Sequence, residues 1–95
     1  MDIKRLRAKA KEIKRIARSH GMDDLRIFGS TVRGTANKKS DVDFLVNVDA
    51  GRDMLDLVEF KEEIEALLGL PVDVVSRKGL SPYLRASILR EARPL

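Results

Sequence analysis

The chain has 95 residues, a formal net charge of +4 and no cysteine. Its length supports one domain over residues 1–95, with a buried fraction small enough that a partner or a second copy would add to its stability. Lack of cysteine excludes disulfides, thiolate metal sites and a cysteine nucleophile. With no apolar run near the roughly 20 residues of a membrane span and no leader-like start, the expectation is a soluble, cytoplasmic protein that does not enter a membrane.

The charge is unevenly spread. Residues 1–20 hold eight Lys and Arg against Asp2 and Glu12, a net of +6, whereas residues 21–95 hold eleven against thirteen acidic side chains, a net of −2. In the basic segment Ile3, Leu6, Ala10, Ile13 and Ala17 recur at intervals of three and four, with Ile16 widening the stripe. This predicts one amphipathic helix over residues 1–20, closed by Gly21 as its C′ residue. Its cations read first as a solvated face, and second as a surface for nucleic acid or an acidic protein. No interleaved aromatics offer a stacking platform for single strands. His20, beside the glycine stop, reads as a helix-terminal residue interacting with the dipole and not as a catalytic base.

Asp23 and Asp24 read as turn formers ahead of a short strand, Leu25-Arg26-Ile27-Phe28, which ends at Gly29. Gly29-Ser30 then opens a short helix that Gly34 ends within about a turn. An apolar strand closing on a glycine and a small hydroxyl residue suits a phosphate held at a helix N-terminus, with the Gly29 and Ser30 amides and the Ser30 hydroxyl as donors. Arg33 lies three residues after Ser30, near the same helix face. It either clamps a phosphate or anchors the loop on a carboxylate. Lys38 and Lys39 read as a solvated loop.

After Ser40 the run Asp41-Val42-Asp43-Phe44-Leu45-Val46 places two carboxylates at alternate positions of a strand. Side chains on a strand alternate between faces at about 3.3 Å per residue, so Asp41 and Asp43 share a face with Cα atoms about 6.6 Å apart and can converge on one metal site. Val42, Phe44 and Val46 take the other face, where packing against a helix would hold the strand rigid. Asp53 is a candidate N-cap for a helix whose apolar stripe is Met54, Leu57, Phe60, Ile64, Leu67 and Leu68; Gly69 stops it, and Glu59, Glu62, Glu63 and Glu65 line its solvated side.

The third strand, Leu70 to Val75, contains one charge, Asp73. A carboxylate inside an apolar strand is costly unless exposed or paired with a cation, which favours a functional reading. Asp73 would complete a carboxylate triad able to bind two divalent ions roughly 3.5 to 4 Å apart. Ser81 as N-cap and Pro82 at N1 then begin a helix over 81–92, with Leu84, Ile88 and Leu89 on its apolar side and Pro94 beyond its end. Tyr83 reads as a packing or partner-facing aromatic. The order of helix, strand, short helix, strand, helix, strand, helix gives an α/β structure with a small sheet.

Gly29-Ser30, Arg33-Gly34 and Ser40-Asp41-Val42-Asp43 together resemble the signature of the DNA polymerase β-like nucleotidyltransferase superfamily, and within it the minimal nucleotidyltransferase (MNT) domains that pair with HEPN-domain proteins. The resemblance runs from about Leu25 to the C-terminus, with the catalytic core over 25–76. Val32 departs from the alanine that many relatives carry before this arginine, a change between small apolar residues.

The resemblance implies a mixed sheet with helices packed on it, and Mg²⁺-dependent transfer of AMP from ATP to a hydroxyl. Asp41, Asp43 and Asp73 would be the catalytic residues and the ligands of two Mg²⁺ ions, while Gly29, Ser30 and Arg33 would bind the nucleotide. It also implies an antitoxin that adenylylates a tyrosine of a HEPN ribonuclease partner. The alternative is a non-catalytic antitoxin that neutralises its partner by occlusion.

Overall fold

The computed structural model describes residues 2–35 and 41–95. Lys38, Lys39 and Ser40 therefore lie outside the described residues. In chain order the elements are α1 (Ile3–Ala8), α2 (Ala10–Ser19), β1 (Met22–Phe28), α3 (Ser30–Arg33), β2 (Val42–Val48), α4 (Met54–Leu68), β3 (Val72–Ser76), a 3₁₀ turn (Arg77–Gly79), α5 (Pro82–Glu91) and β4 (Arg93–Pro94). The sheet order is β3-β2-β1-β4. β2 and β3 are parallel, and β1 is antiparallel to both β2 and β4, so the sheet is mixed as expected.

The core forms where the apolar stripes of α1, α2 and α4 meet one face of the sheet. Leu6, Ile13 and Ala17 from the first two helices and Phe60 and Ile64 from α4 are fully buried with Ile27, Phe44 and Val46. Phe44 and Phe60 pack edge to face, with ring centroids 6.4 Å apart and planes at 82°, the arrangement that ring quadrupoles favour. The strand carrying Asp43 is thus clamped from behind by the residues its alternation assigns to that role. Among the described residues, no helix is long and apolar enough to cross a membrane.

Local signals place the helix ends. Asp53 caps α4 by accepting from the Leu55 N–H at 3.0 Å, Asp56 completes a capping box, and Gly69 ends the helix at φ 70°. Ser81 accepts from the Tyr83 N–H at the start of α5, with Pro82 in the first turn.

Four expectations need correction. The single helix over 1–20 is two, broken at Lys9, whose φ of −104° and ψ of 9° leave the helical region. No glycine or proline marks this break; its ammonium reaches the Leu67 carbonyl on α4 at 3.4 Å, so docking of the two helices accompanies the bend. β1 begins three residues early, at Met22, and carries one extra residue against β2: register jumps from Asp23↔Asn47 to Arg26↔Leu45. Asp24 adopts a positive φ of 49° there, so its tolerance of left-handed backbone serves a strand bulge and not a turn before the strand.

The apolar stripes also differ. Met54 is 77% exposed, and Leu84 on α5 is exposed too, because helical spacing names a face but not whether anything covers it. Pro94 does not simply follow the last helix. With Arg93 it pairs against Arg26 and Ile27 as β4, a strand too short to have a period.

Candidate active site

Asp43 stands on β2 between two neighbours, with Phe28 opposite it on β1 and Asp73 opposite it on β3. The parallel register between β2 and β3 therefore sets two carboxylates side by side on one face. Asp41 lies just before β2, exposed, and Asp73 is exposed as well; only Asp43 is half-buried. The burial cost that singles out Asp73 in the sequence thus falls on Asp43.

Burial pushes the Asp43 carboxyl up to about 6, from an ordinary value of 3.8, and the nearby negative charges of Asp73 and Asp41 add to the rise. Arg33 opposes it, and Glu91 raises it a little further. Four carboxylates therefore bear on a site with one arginine against them. Oxygen-only donors, surplus negative charge and partial burial fit a hard divalent cation such as Mg²⁺.

Gly29 follows β1 directly and caps α3 with φ 78° and ψ −151°, a conformation that is essentially restricted to glycine. A Cβ at this position would collide with the Asp43 carboxylate. The glycine is needed both for the turn and for the approach of backbone to carboxylate. Ser30 begins α3, and Arg33 ends it. α3 lies against both β1 and β2, which places the Gly-Ser turn beside the aspartates.

The sequence leaves two uses for Arg33, and in the structure it pairs with a carboxylate. Its Nη1 lies 2.6 Å from Glu91 Oε1, while Glu91 Oε2 accepts the Gly29 N–H at 3.1 Å. Sequence reasoning missed Glu91. No signal could have found it, since it lies 58 and 62 residues from its two partners, on a helix face with no motif.

A sequence profile of the nucleotidyltransferase domain matches residues 7–95. The chain belongs to this family. Among relatives of this nucleotidyltransferase, the protein adenylyltransferase MntA of Thermococcus cleftensis is 40% identical over 78 residues, covering 82% of this chain and 79% of the relative. The solved structure of a candidate minimal nucleotidyltransferase superposes with a TM-score of 0.89 at 45% identity, covering 100% of this chain and 97% of the other. A chain from the complex of the tri-AMPylated Shewanella oneidensis HEPN toxin with its MNT antitoxin has a TM-score of 0.70 at 18% identity, covering 93% of this chain and 69% of that one, and shares the fold.

The nucleotidyltransferase has a second acidic grouping, away from this site. His20, Asp56 and Glu59 each bring a ligand atom within 4.8 Å of one another. The His20 ring contacts Glu63 at 3.0 Å, Glu59 at 3.7 Å and Asp56 at 3.9 Å, and Asp56 is also met by Arg52 at 3.4 Å. His20 does cap α2, but its ring is turned toward the acids of α4. Among the described residues the sheet aspartates make no salt bridge of this kind, and Arg33 is the cation whose charge bears on Asp43.

Proposed function

We propose that this chain transfers AMP from ATP to a protein hydroxyl, with Asp41, Asp43 and Asp73 as its catalytic carboxylates. The observation that carries the reading is the placement of Asp43 beside Asp73 and against Gly29, with its carboxyl raised by burial and by its acidic neighbours. The 40% identity to a protein adenylyltransferase supports the reaction class.

Asp41 and Asp43 would hold two Mg²⁺ ions, and Asp73 would complete the site of one of them. Bound there, the ions would supply Lewis-acid activation of the attacking hydroxyl and charge stabilisation for the leaving pyrophosphate. The Ser30 hydroxyl and amide would orient the β- and γ-phosphates, so that the α-phosphorus faces the acceptor. A bond forms between the acceptor oxygen and the α-phosphorus as the bond to the bridging oxygen of pyrophosphate breaks. Asp73, the exposed member of the triad, would take the acceptor's proton.

The acceptor we propose is a tyrosine of a HEPN-domain toxin, for which this chain is the antitoxin. The test is incubation of the purified protein with its genomic neighbour's product, Mg²⁺ and α-³²P-labelled ATP, read by denaturing gel and intact mass. Label on the partner that disappears in Asp41→Asn/Asp43→Asn establishes the reaction. A stable, toxin-neutralising complex without label would replace it with inhibition by occlusion.

A further inference from the structure

Glu91 is a fourth carboxylate placed where three already repel one another, and nothing in its own helix requires it there. It is the last residue of α5, and no side chain of α5 belongs to the hydrophobic core. Among the described residues, Glu91 is also the one α5 side chain with a hydrogen bond or ion pair outside its own segment. If it served only to dock the helix, a neutral glutamine could accept the Gly29 N–H without adding charge to the cluster.

Its charge has one evident recipient. Arg33 ends the short helix α3, which packs on β2 and begins at the Gly29 turn against the Asp43 carboxylate, so the guanidinium has two anionic destinations nearby, Asp43 and Glu91. A guanidinium on Asp43 would neutralise the carboxylate and occupy the oxygens a divalent cation needs. In the structure the arginine is 2.6 Å from Glu91, whose side chain is 25% exposed against 56% for Arg33, so the less solvated partner fixes the pair.

We propose that Glu91 is a positioning residue: by holding Arg33 and the Gly29 amide, it keeps the guanidinium off the aspartates and leaves them open to a divalent cation. The inference rests on the cation-binding role proposed for Asp43, and it makes α5 part of the site although no motif on that helix says so. Glu91 touches neither substrate nor cation; it acts through Arg33.

The test is Mn²⁺ affinity, measured by electron paramagnetic resonance on the full chain without nucleotide, in a double-mutant cycle of Glu91→Gln and Arg33→Met, with thermal unfolding confirming that each variant is folded. Glu91→Gln should weaken Mn²⁺ binding about tenfold in the parent chain, and by less than about twofold in the Arg33→Met background, where no guanidinium is left to intrude. An equal effect in both backgrounds would mean that Glu91 acts by direct charge alone and would overturn the proposal, as would no effect in either. Asp43→Asn is the separate control: if it binds Mn²⁺ as tightly as the parent, the assignment of Asp43 itself fails, whatever Glu91 does. Should Glu91→Gln not fold, Glu91→Asp takes its place in the same cycle: it keeps the charge but shortens the reach to Arg33, so a loss of Mn²⁺ affinity confined to the background that retains Arg33 is expected, and an unchanged affinity would overturn the proposal.

Discussion

The basic N-terminal helices and the acidic end of the sheet are both crowded with charge, and they differ in what the crowding costs. Seven cations are spread along α1 and α2 with an eighth, Lys9, at the break between them, and none forms a salt bridge with a carboxylate among the described residues. Helical geometry points the seven into water, where dielectric and salt screen their repulsion. At the sheet, strand register forces Asp43 beside Asp73, and burial removes part of the water that would screen them. Density of charge alone therefore says little about function. Charge held together against its own repulsion says a great deal.

That contrast is broken most severely by removing the half-buried carboxylate. Asp43→Asn should lower AMP transfer by at least about a hundredfold, since electrostatic groups at a reacting centre are commonly worth that much. The same variant, measured by thermal unfolding at pH 7.5 without divalent ions, should be no less stable than the parent, because it removes an unfavourable charge. Loss of stability together with loss of activity would make Asp43 a structural residue.

Filling the space in front of that carboxylate comes next. Gly29→Ala must adopt a positive φ and meet Asp43. A cost of about 1 to 3 kcal/mol is expected from backbone strain of this kind, seen as a lower unfolding midpoint, together with loss of transfer. Unchanged stability would show that the turn can relax.

The pH dependence sharpens the comparison further. The folded-state value of Asp43 is raised above its unfolded one, so the protonated carboxyl favours the folded state below about pH 4, and that contribution is lost as pH rises to about 6. With the discount for a partly solvated group, the effect is on the order of 1 kcal/mol. Urea unfolding between pH 4 and 7 should show it in the parent and not in Asp43→Asn, and added Mg²⁺ should reverse it near neutral pH.

The smallest effect belongs to the other region. Replacing Lys11, Arg15 and Arg18 together by glutamine should change stability by no more than about 0.5 kcal/mol per site, since these are exposed positions away from caps and pairs. Transfer to the partner should be unaffected. A large loss of transfer would show that the basic helices belong to the acceptor's docking surface, and the division between the two regions would fail.

Much of the molecule was legible because it depends on neighbours in the chain. The caps Asp53, Gly69 and Ser81 act within four residues, strand alternation assigned Phe44 to the core and Asp43 to the opposite face, and the spacing from Gly29-Ser30 to Asp41 and Asp43 pointed to phosphate and cation chemistry. The errors have a common origin. The break at Lys9, the bulge at Asp24, the exposure of Met54 and the pairing of β4 are decided by what docks where, and no local pattern encodes that.

By itself the sequence determined the elements, their buried faces and the residue types at the candidate site, since helix and strand periods and cap chemistry are short-range properties. Only the tertiary structure decided that β3 lies parallel beside β2 with Asp73 level with Asp43, and that Glu91 returns from the far end of the chain to hold Gly29 and Arg33. Contacts across some 30 to 60 residues depend on the whole core closing, and a single sequence carries no local record of them.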